Sequence, residues 1–238
     1  MTAHGLGDTP QNMSHLLSGL VDNPDYPFIL VTPDDTAHAL TYWGQTIVMD
    51  WDVFEANEQN KEVRLFDELL ACLDERYGID RDRVHAVGFS MGGLLTDMLA
   101  TLRGEELASV AVYSGGYWAN PANRNMYIDM FADYPAYDVA NRYTQLFVHC
   151  GPDDNYDMDL FVIQFDQYAA SDLIMLNDSG HDAIMCNHSG GHTLPRDLMG
   201  PELVEFFAAH PMGSNPSPWA SDGLPASYPD YCSFEPGN

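Results

Sequence analysis

Short apolar runs alternate along the chain with longer stretches in which apolar residues recur every three or four positions. The runs predict buried strands, and the longer spacing predicts amphipathic helices. The predicted strands are 27–31, 83–87, 109–113, 145–149 and 183–186, and the predicted helices are 62–76, a segment after residue 90, 157–170 and 202–209. This alternation is typical of an α/β domain with a mostly parallel sheet and helices on both faces. Active residues then belong at the carboxyl ends of the strands.

The alternation stops at about Pro211, where proline, glycine and serine become frequent. At 238 residues and 45% apolar, the chain can form one domain with a sizeable core. We therefore predict an α/β domain over 1–210 and an irregular, proline-rich tail over 211–238. The tail has aromatic side chains that could anchor it to the domain: Trp219, Tyr228, Tyr231 and Phe234.

Acidic residues outnumber basic ones by 36 to 9, which gives a formal net charge of −27. Such a surface repels phosphate backbones and anionic lipid, so no nucleic-acid partner is expected. The charge itself predicts a heavily solvated acidic surface, as in secreted or salt-adapted proteins. No apolar run approaches the roughly 18 residues of a membrane span. The sequence leaves the oligomeric state open.

Four cysteines are too sparse for a small disulfide-built scaffold. Cys72 falls in a predicted helix and is interpreted as a small core residue. Cys150 and Cys186 each end an apolar run beside a candidate active-site loop, and a bridge between them is an arrangement that the sequence leaves open. Cys232 lies in the predicted tail.

The most informative motif is Gly88-Phe89-Ser90-Met91-Gly92, between a predicted strand and a predicted helix. In this context a G-x-S-x-G sequence predicts a sharp turn that lifts the serine out of the sheet, with glycines where side chains would collide. Ser90 is therefore a candidate nucleophile. A serine nucleophile needs a base and an orienting acid, which in this topology follow in the order Ser, Asp, His.

Two later loops supply candidates for the acid and the base. Asp153 and Asp154 follow the predicted strand 145–149, and we favour Asp154 as the acid with Asp153 as the second choice. His192 follows the strand 183–186 on a glycine-rich loop and is the candidate base. His188 and His181 are interpreted as structural.

Two metal-site interpretations fit the sequence less well than this one, and no metal or cofactor is predicted. The zinc alternative uses Cys186, His188 and His192, with His181 nearby, but their spacing matches no common zinc pattern. The calcium alternative uses the acidic stretch 153–159, which has Met158 where a calcium loop needs glycine and Gln164 where it needs glutamate.

Several motifs together make the chain resemble an α/β-hydrolase of the polyhydroxybutyrate depolymerase-like and feruloyl/acetyl-xylan esterase group. They are His4-Gly5, Tyr77-Gly78-Ile79-Asp80 with Arg83-Val84, the serine motif extended to Gly93, the turn 149–154, and Gly190-Gly191-His192-Thr193-Leu194-Pro195. The resemblance spans residues 3 to about 195. It implies a serine esterase in which Ser90 is the nucleophile, Asp154 the acid and His192 the base.

The resemblance also implies an oxyanion hole formed by the backbone N–H groups of Met91 and Leu6. The implied substrate is a polyester such as polyhydroxybutyrate or an acylated plant polysaccharide. Tyr117 and Trp118, with the aromatic segment after them, are candidates for a substrate-binding wall or for core packing. The alternative function is a degenerate hydrolase-like domain that lacks catalysis.

The chain departs from this family at its start. In the family the His-Gly loop follows a central strand that is itself preceded by two more, whereas here three residues precede His4. We therefore expect N-terminal strands to be missing, with a gap between 27–31 and 83–87 that would leave buried backbone groups unpaired. The natural protein is then expected to begin upstream of Met1, with a secretion signal that this chain lacks, and to act outside the cell.

Overall fold

The computed structural model describes residues 1–42, 44–158 and 161–238. Its strands are β1 (Thr2–Ala3), β2 (His38–Tyr42), β3 (Gln45–Met49), β4 (His85–Phe89), β5 (Ser109–Tyr113), β6 (Thr144–His149), β7 (Asn155–Asp157), β8 (Val162–Gln164), β9 (Ala183–Asn187) and β10 (Cys232–Glu235). Its α-helices are α1 (Pro10–His15), α2 (Lys61–Tyr77), α3 (Met91–Arg103), α4 (Ile128–Phe131), α5 (Phe165–Asp178), α6 (Pro201–Ala209) and α7 (Trp219–Asp222). Short 3₁₀ turns cover Ser18–Leu20, Arg81–Arg83, Gly104–Glu106, Pro121–Asn123, Gly151–Asp153 and Arg196–Leu198.

The central sheet has six strands in the order β1-β4-β5-β6-β9-β10. The first five strands pair in parallel, and β10 pairs antiparallel with β9. The prediction of a mostly parallel sheet is therefore confirmed. Two separate antiparallel hairpins, β2-β3 and β7-β8, lie outside this sheet.

Successive residues of the strands contribute to opposite faces of the sheet, as the period of two requires. In β5, Val110 and Val112 join one apolar cluster, whereas Ala111 and Tyr113 join the other. Helices α2, α3 and α5 pack in the first cluster, and α6 packs with the C-terminal segment in the second. The sheet is thus buried on both faces, which explains why its strands read as nearly continuous apolar runs.

Local signals explain why α2 begins and ends where it does. The Asn60 side chain accepts hydrogen bonds from the N–H groups of Glu62 and Val63, which caps the first turn. The helix ends at Gly78, whose φ of 61° is left-handed and suits glycine. The predicted helix 62–76 agrees with α2 to within one residue at each end.

Two predicted elements were wrong. The segment 27–31 is not a strand, because its neighbour β1 is only two residues long and one backbone hydrogen bond, from Thr2 N–H to the Val31 carbonyl (2.8 Å), links them. The helix predicted at 157–170 begins later, at Phe165, because the residues before it form the β7-β8 hairpin. Asp159 and Leu160, which fell in that prediction, lie outside the described residues.

The C-terminal segment is more ordered than the predicted irregular tail. It contains α7 and β10, and a disulfide joins Cys186 of β9 to Cys232 of β10. Trp219 and Tyr228 are buried, as expected of anchors. The sequence signal for β10 was weak because an edge strand of four residues has little periodicity.

The disulfide corrects the interpretation of the cysteines. Cys186 pairs with Cys232 across neighbouring strands, not with Cys150, which is a buried free thiol. Cys72 is also free, but it is exposed, so its interpretation as a core residue was wrong. Spacing along the chain could not show this, because the partner strand is 46 residues away.

The start of the chain lies against the edge of β4. Thr2 and Ala3 pair with Val87 and Gly88. The short strand β1 therefore occupies one end of the gap that was expected between the segments 27–31 and 83–87. At the other end is a cavity of about 460 Å³, lined mainly by apolar side chains that include Phe28 and Leu70. Among the residues described, no helix is long and apolar enough to cross a membrane.

Candidate active site

The strand-to-helix turn at Ser90 has the strained geometry that the sequence motif predicts. Ser90 has φ 56° and ψ −119°, which a residue other than glycine rarely adopts. A Cβ atom on Gly92 would lie 2.2 Å from the Ala3 carbonyl oxygen, and one on Gly88 would lie 2.0 Å from the Gly92 carbonyl oxygen. Both glycines are therefore required by close backbone contacts around the serine.

The structure brings Ser90, His192 and Asp154 together, although they are far apart in the sequence. The Ser90 hydroxyl lies 2.9 Å from His192 Nε2, and His192 Nδ1 lies 2.7 Å from Asp154 Oδ1. A carboxylate only accepts hydrogen bonds, so Nδ1 donates to Asp154 and Nε2 is left to accept from the serine. This is the arrangement in which a histidine can take the proton of a serine hydroxyl.

Asp154 lies at the end of the Gly151–Asp153 turn and is fully buried. Its second oxygen, Oδ2, accepts hydrogen bonds from the Ser114 hydroxyl (2.7 Å) and the Cys150 N–H (3.0 Å). Burial raises the pKa of the Asp154 carboxyl, but the hydrogen bonds from His192, Ser114 and Cys150 outweigh it, and the pKa lies below its ordinary value. Asp154 is therefore ionised at neutral pH.

Ser114 was not anticipated from the sequence. It directly follows β5, is buried, and has a φ of 54°. Its backbone N–H donates to the Val148 carbonyl (2.8 Å), which holds the hydroxyl beside the acid loop. The only signal in the sequence was its position at the carboxyl end of an apolar run, and many serines share that position.

The other candidates of the acid and base loops lie elsewhere. Asp153 is exposed in the short turn before Asp154. His181 is buried, with Nδ1 donating to the Tyr143 carbonyl (2.9 Å) and Nε2 3.0 Å from the Tyr137 hydroxyl. Burial lowers the pKa of His181 to about 4 and lowers that of His188 as well. Neither histidine hydrogen-bonds to Ser90 or Asp154 among the described residues, and a structural role for both stays a prediction.

Two phenylalanines stack on the His192 ring. The ring centroid of Phe89 lies 5.0 Å from that of His192, and the centroid of Phe165 lies 4.9 Å from it. Phe165 is the first residue of α5, and its N–H donates to the Asp154 carbonyl (2.9 Å). This one residue therefore links α5 to both the acid and the base. The imidazole is thereby held in orientation while its side chain keeps 20% exposure.

The loop 4–7 lies against the serine turn. A Cβ atom on Gly5 would be 3.3 Å from Ser90 Cβ, so the loop passes directly beside the serine. The Trp51 indole donates to the His4 carbonyl (2.9 Å), and the Gly7 N–H donates to Asp50 (2.6 Å), which fixes both ends of the loop. Leu6 lies in this loop, and Met91 is the first residue of α3.

Tyr117 and Trp118 do not form an open wall. Tyr117 is 0% exposed and Trp118 is 2% exposed. The Tyr117 hydroxyl lies 2.8 Å from that of Tyr143, and Trp118 packs on Phe54 with ring centroids 4.7 Å apart. Both belong to the core, so the prediction of a substrate-contacting role was wrong and the core-packing alternative describes them.

The zinc alternative has no support, because the disulfide removes Cys186 as a ligand. The acidic stretch considered for calcium includes Asp159, which is outside the part of the chain that the structure describes.

The sheet order, the strained serine turn and the facing histidine and aspartate together define an α/β-hydrolase fold. Solved structures show the same fold. Native sOPH superposes with a TM-score of 0.57 at 19% identity, covering 77% of this chain and 62% of its own. Arabidopsis thaliana SOBER1 superposes with a TM-score of 0.54 at 19% identity, covering 87% of this chain and 95% of its own.

A curated relative shares part of the sequence. Feruloyl esterase D of Neurospora crassa is 29% identical over 113 residues, which are 47% of this chain and 38% of the esterase. The matched segment thus covers well under two thirds of that relative's length. No protein-family model matches the chain.

Proposed function

We propose that the chain is a serine esterase that hydrolyses carboxylic ester bonds through Ser90, His192 and Asp154. The observation that carries this proposal is the pair of short contacts at His192, 2.9 Å to the Ser90 hydroxyl and 2.7 Å to the Asp154 carboxylate. The feruloyl esterase relative supports the same class of reaction.

In the first half of the reaction, His192 Nε2 takes the hydroxyl proton of Ser90 while Oγ attacks the ester carbonyl carbon. The tetrahedral oxyanion accepts hydrogen bonds from the backbone N–H groups of Met91 and Leu6. His192 then gives its proton to the departing alkoxide, which leaves an acyl group on Ser90. In the second half, water attacks the acyl carbon by the same route and frees the acid.

Asp154 serves both halves by keeping the His192 ring in one orientation and tautomer. Its carboxylate is ionised because three hydrogen bonds outweigh the cost of burial. It therefore stabilises the imidazolium that forms when His192 holds the serine proton.

For the substrate, we propose an acylated plant polysaccharide or a polyester such as polyhydroxybutyrate. The feruloyl esterase relative favours the first. The disulfide between Cys186 and Cys232 and the net charge of −27 support action outside the cell, where such polymers occur and disulfides persist.

The test is hydrolysis of p-nitrophenyl acetate by the wild-type chain and by Ser90→Ala. The matched control is Ser18→Ala, because Ser18 is exposed and distant from Ser90 in the sequence. We expect Ser90→Ala to lower kcat by about 10⁴-fold or more and the control to leave it unchanged. A fluorophosphonate probe should label Ser90, as read by peptide mass spectrometry. A folded wild-type chain with no turnover and no labelling would instead favour a degenerate, non-catalytic domain.

Release of ferulate or acetate from xylan, compared with release of hydroxybutyrate from its polymer, tests the substrate. Either release, abolished in Ser90→Ala, assigns that class. If p-nitrophenyl acetate is hydrolysed but neither polymer is, the esterase proposal stands and both polymer assignments fail.

A further inference from the structure

The imidazole of His4 has one nitrogen without a partner. The side chain is buried, with 1% exposure, and Nδ1 lies 2.9 Å from the Gly5 carbonyl oxygen. A carbonyl only accepts hydrogen bonds, so Nδ1 carries the proton. In the neutral ring, Nε2 then presents a lone pair, and within the described part of the chain no group hydrogen-bonds to it.

Two adjacent carboxylates lie near this nitrogen. Asp35 Oδ2 lies 3.8 Å from His4 Nε2, and one oxygen of Asp34 completes a set of three ligand atoms within 4.8 Å of one another. A separation of 3.8 Å exceeds a hydrogen bond. Three electron-pair donors close to one another, one of them buried and without a hydrogen-bond partner, are an arrangement that a cation stabilises.

We propose that His4 Nε2 and the carboxylates of Asp34 and Asp35 bind a divalent metal ion of the zinc class. Imidazole with carboxylate ligands suits zinc, which binds nitrogen and oxygen at about 2.0 to 2.2 Å. Two ligands of a tetrahedral ion are then about 3.4 Å apart, so the 3.8 Å pair needs only a small contraction. Asp34 is exposed, and because its Oδ1 accepts the Asp35 N–H (3.2 Å), its other oxygen is left for an ion, with water expected as the fourth ligand.

The hydrogen bond at the other ring nitrogen fits this role. Metal-binding histidines usually donate their second ring N–H to a backbone carbonyl or a carboxylate, which selects the tautomer. His4 does this through Nδ1 and the Gly5 carbonyl. A doubly protonated His4 between Asp35 at Nε2 and Asp50 at Nδ1 is the competing arrangement, but it would leave the Nε2–H donor 3.8 Å from its acceptor.

Metal binding here would tie the segment at 34–35 to the loop 4–7, which passes beside Ser90. A role of the ion in holding that loop rests on the proposed esterase function, but binding of the ion does not. The test therefore measures binding directly, so that its failure is separate from a failure of the esterase proposal.

The experiment is calorimetric titration of Zn²⁺ into the metal-free full chain carrying Cys72→Ser, which removes the exposed thiol. We expect one ion per chain, and at least about 100-fold weaker binding in the double variant Asp34→Asn/Asp35→Asn. The matched control, Asp22→Asn/Asp25→Asn, removes two charges from another exposed loop and should bind Zn²⁺ like the parent. Circular dichroism verifies that each variant is folded.

A second measurement identifies the ligand nitrogen. In ¹⁵N spectra of the histidine rings, Zn²⁺ should shift Nε2 of His4 while its Nδ1 stays protonated. The proposal is overturned if Zn²⁺ does not bind, if the two double variants bind it equally, or if the ion shifts other histidines and leaves His4 unchanged. Tighter binding of Ca²⁺ than of Zn²⁺ would overturn the assignment to the zinc class.

Discussion

At the scale of single residues, Ser114 shows how the fold positions the candidate catalytic acid. Its hydroxyl and the Cys150 N–H both donate to Asp154 Oδ2, while His192 occupies Oδ1. All donors to the carboxylate therefore come from different loops at the carboxyl ends of β5, β6 and β9. The acid is held in place by the convergence of these loops.

We predict that Ser114→Ala lowers kcat about tenfold with little change in KM. A hydrogen bond to a charged group contributes about 1.5 to 3 kcal/mol, and about 1.4 kcal/mol corresponds to a factor of ten in rate. Without that bond the pKa of Asp154 rises, because one of the groups that favour its carboxylate is gone. Steady-state kinetics on a soluble ester measure the effect.

Ser114→Gly is the matched control for backbone strain. It removes the hydroxyl but tolerates the φ of 54° better than alanine does. Equal losses of kcat in both variants would attribute the effect to the hydroxyl. Full activity in Ser114→Gly would show that the hydrogen bond does not matter for the reaction.

At the scale of elements, the serine turn and β1 depend on each other through Gly92. A Cβ atom there would lie 2.2 Å from the carbonyl oxygen of Ala3, which is backbone and cannot rotate away. We predict that Gly92→Ala lowers the free energy of unfolding by about 1 to 3 kcal/mol, typical of overpacking, and lowers kcat because β1 leads into the loop beside Ser90.

Gly19→Ala is the control for that substitution, because nothing lies within 4 Å of its added Cβ. Urea unfolding of both variants and their kinetics on the same ester give the comparison. If Gly92→Ala unfolds at the same urea concentration as Gly19→Ala, the close contact between the turn and β1 is not real.

The C-terminal strand β10 is attached to the sheet by a disulfide as well as by strand pairing. The disulfide joins two residues that are 46 positions apart in the sequence, and it holds β10 at the sheet edge. Loop-closure entropy for this length is about 4 kcal/mol, an upper value in practice. We predict that Cys232→Ser lowers the free energy of unfolding by about 2 to 4 kcal/mol in denaturant titrations.

Cys72→Ser, at an exposed free cysteine, should leave stability unchanged. Dithiothreitol should destabilise the wild type and Cys72→Ser but not Cys232→Ser. Equal unfolding midpoints for the wild type with and without the reductant would rule out a stabilising bridge.

At the scale of the whole molecule, the sequence predicts what depends on local pattern. The buried strands around Ser90 and the order of serine, acid and base loops follow from apolar runs and turn residues near each site. The sequence could not predict contacts between distant segments, such as Ser114 with Asp154 or Cys186 with Cys232. The hairpin before α5 was also missed, since its short strands carry too few residues to distinguish them from a helix.

The excess of acid also acts on the whole molecule. With 36 acidic and 9 basic residues, most acidic charges cannot find a basic partner. Arg103 already pairs with both Glu58 and Asp67, and Arg81 pairs with both Asp74 and Glu106. The remaining charges repel one another, and this repulsion is stronger in the compact state than in the unfolded chain.

We predict that Tm rises by several degrees as NaCl increases from about 10 mM to about 0.5 M, because salt shortens the screening length from about 30 Å to a few ångströms. Most of the rise should come below about 0.2 M, since screening acts first on widely separated charges. KCl at equal ionic strength should give the same curve, and EDTA in every sample excludes stabilisation by bound metal. A flat or falling Tm would mean that attraction within the surface ion pairs, which salt weakens, outweighs the repulsion among the unpaired carboxylates.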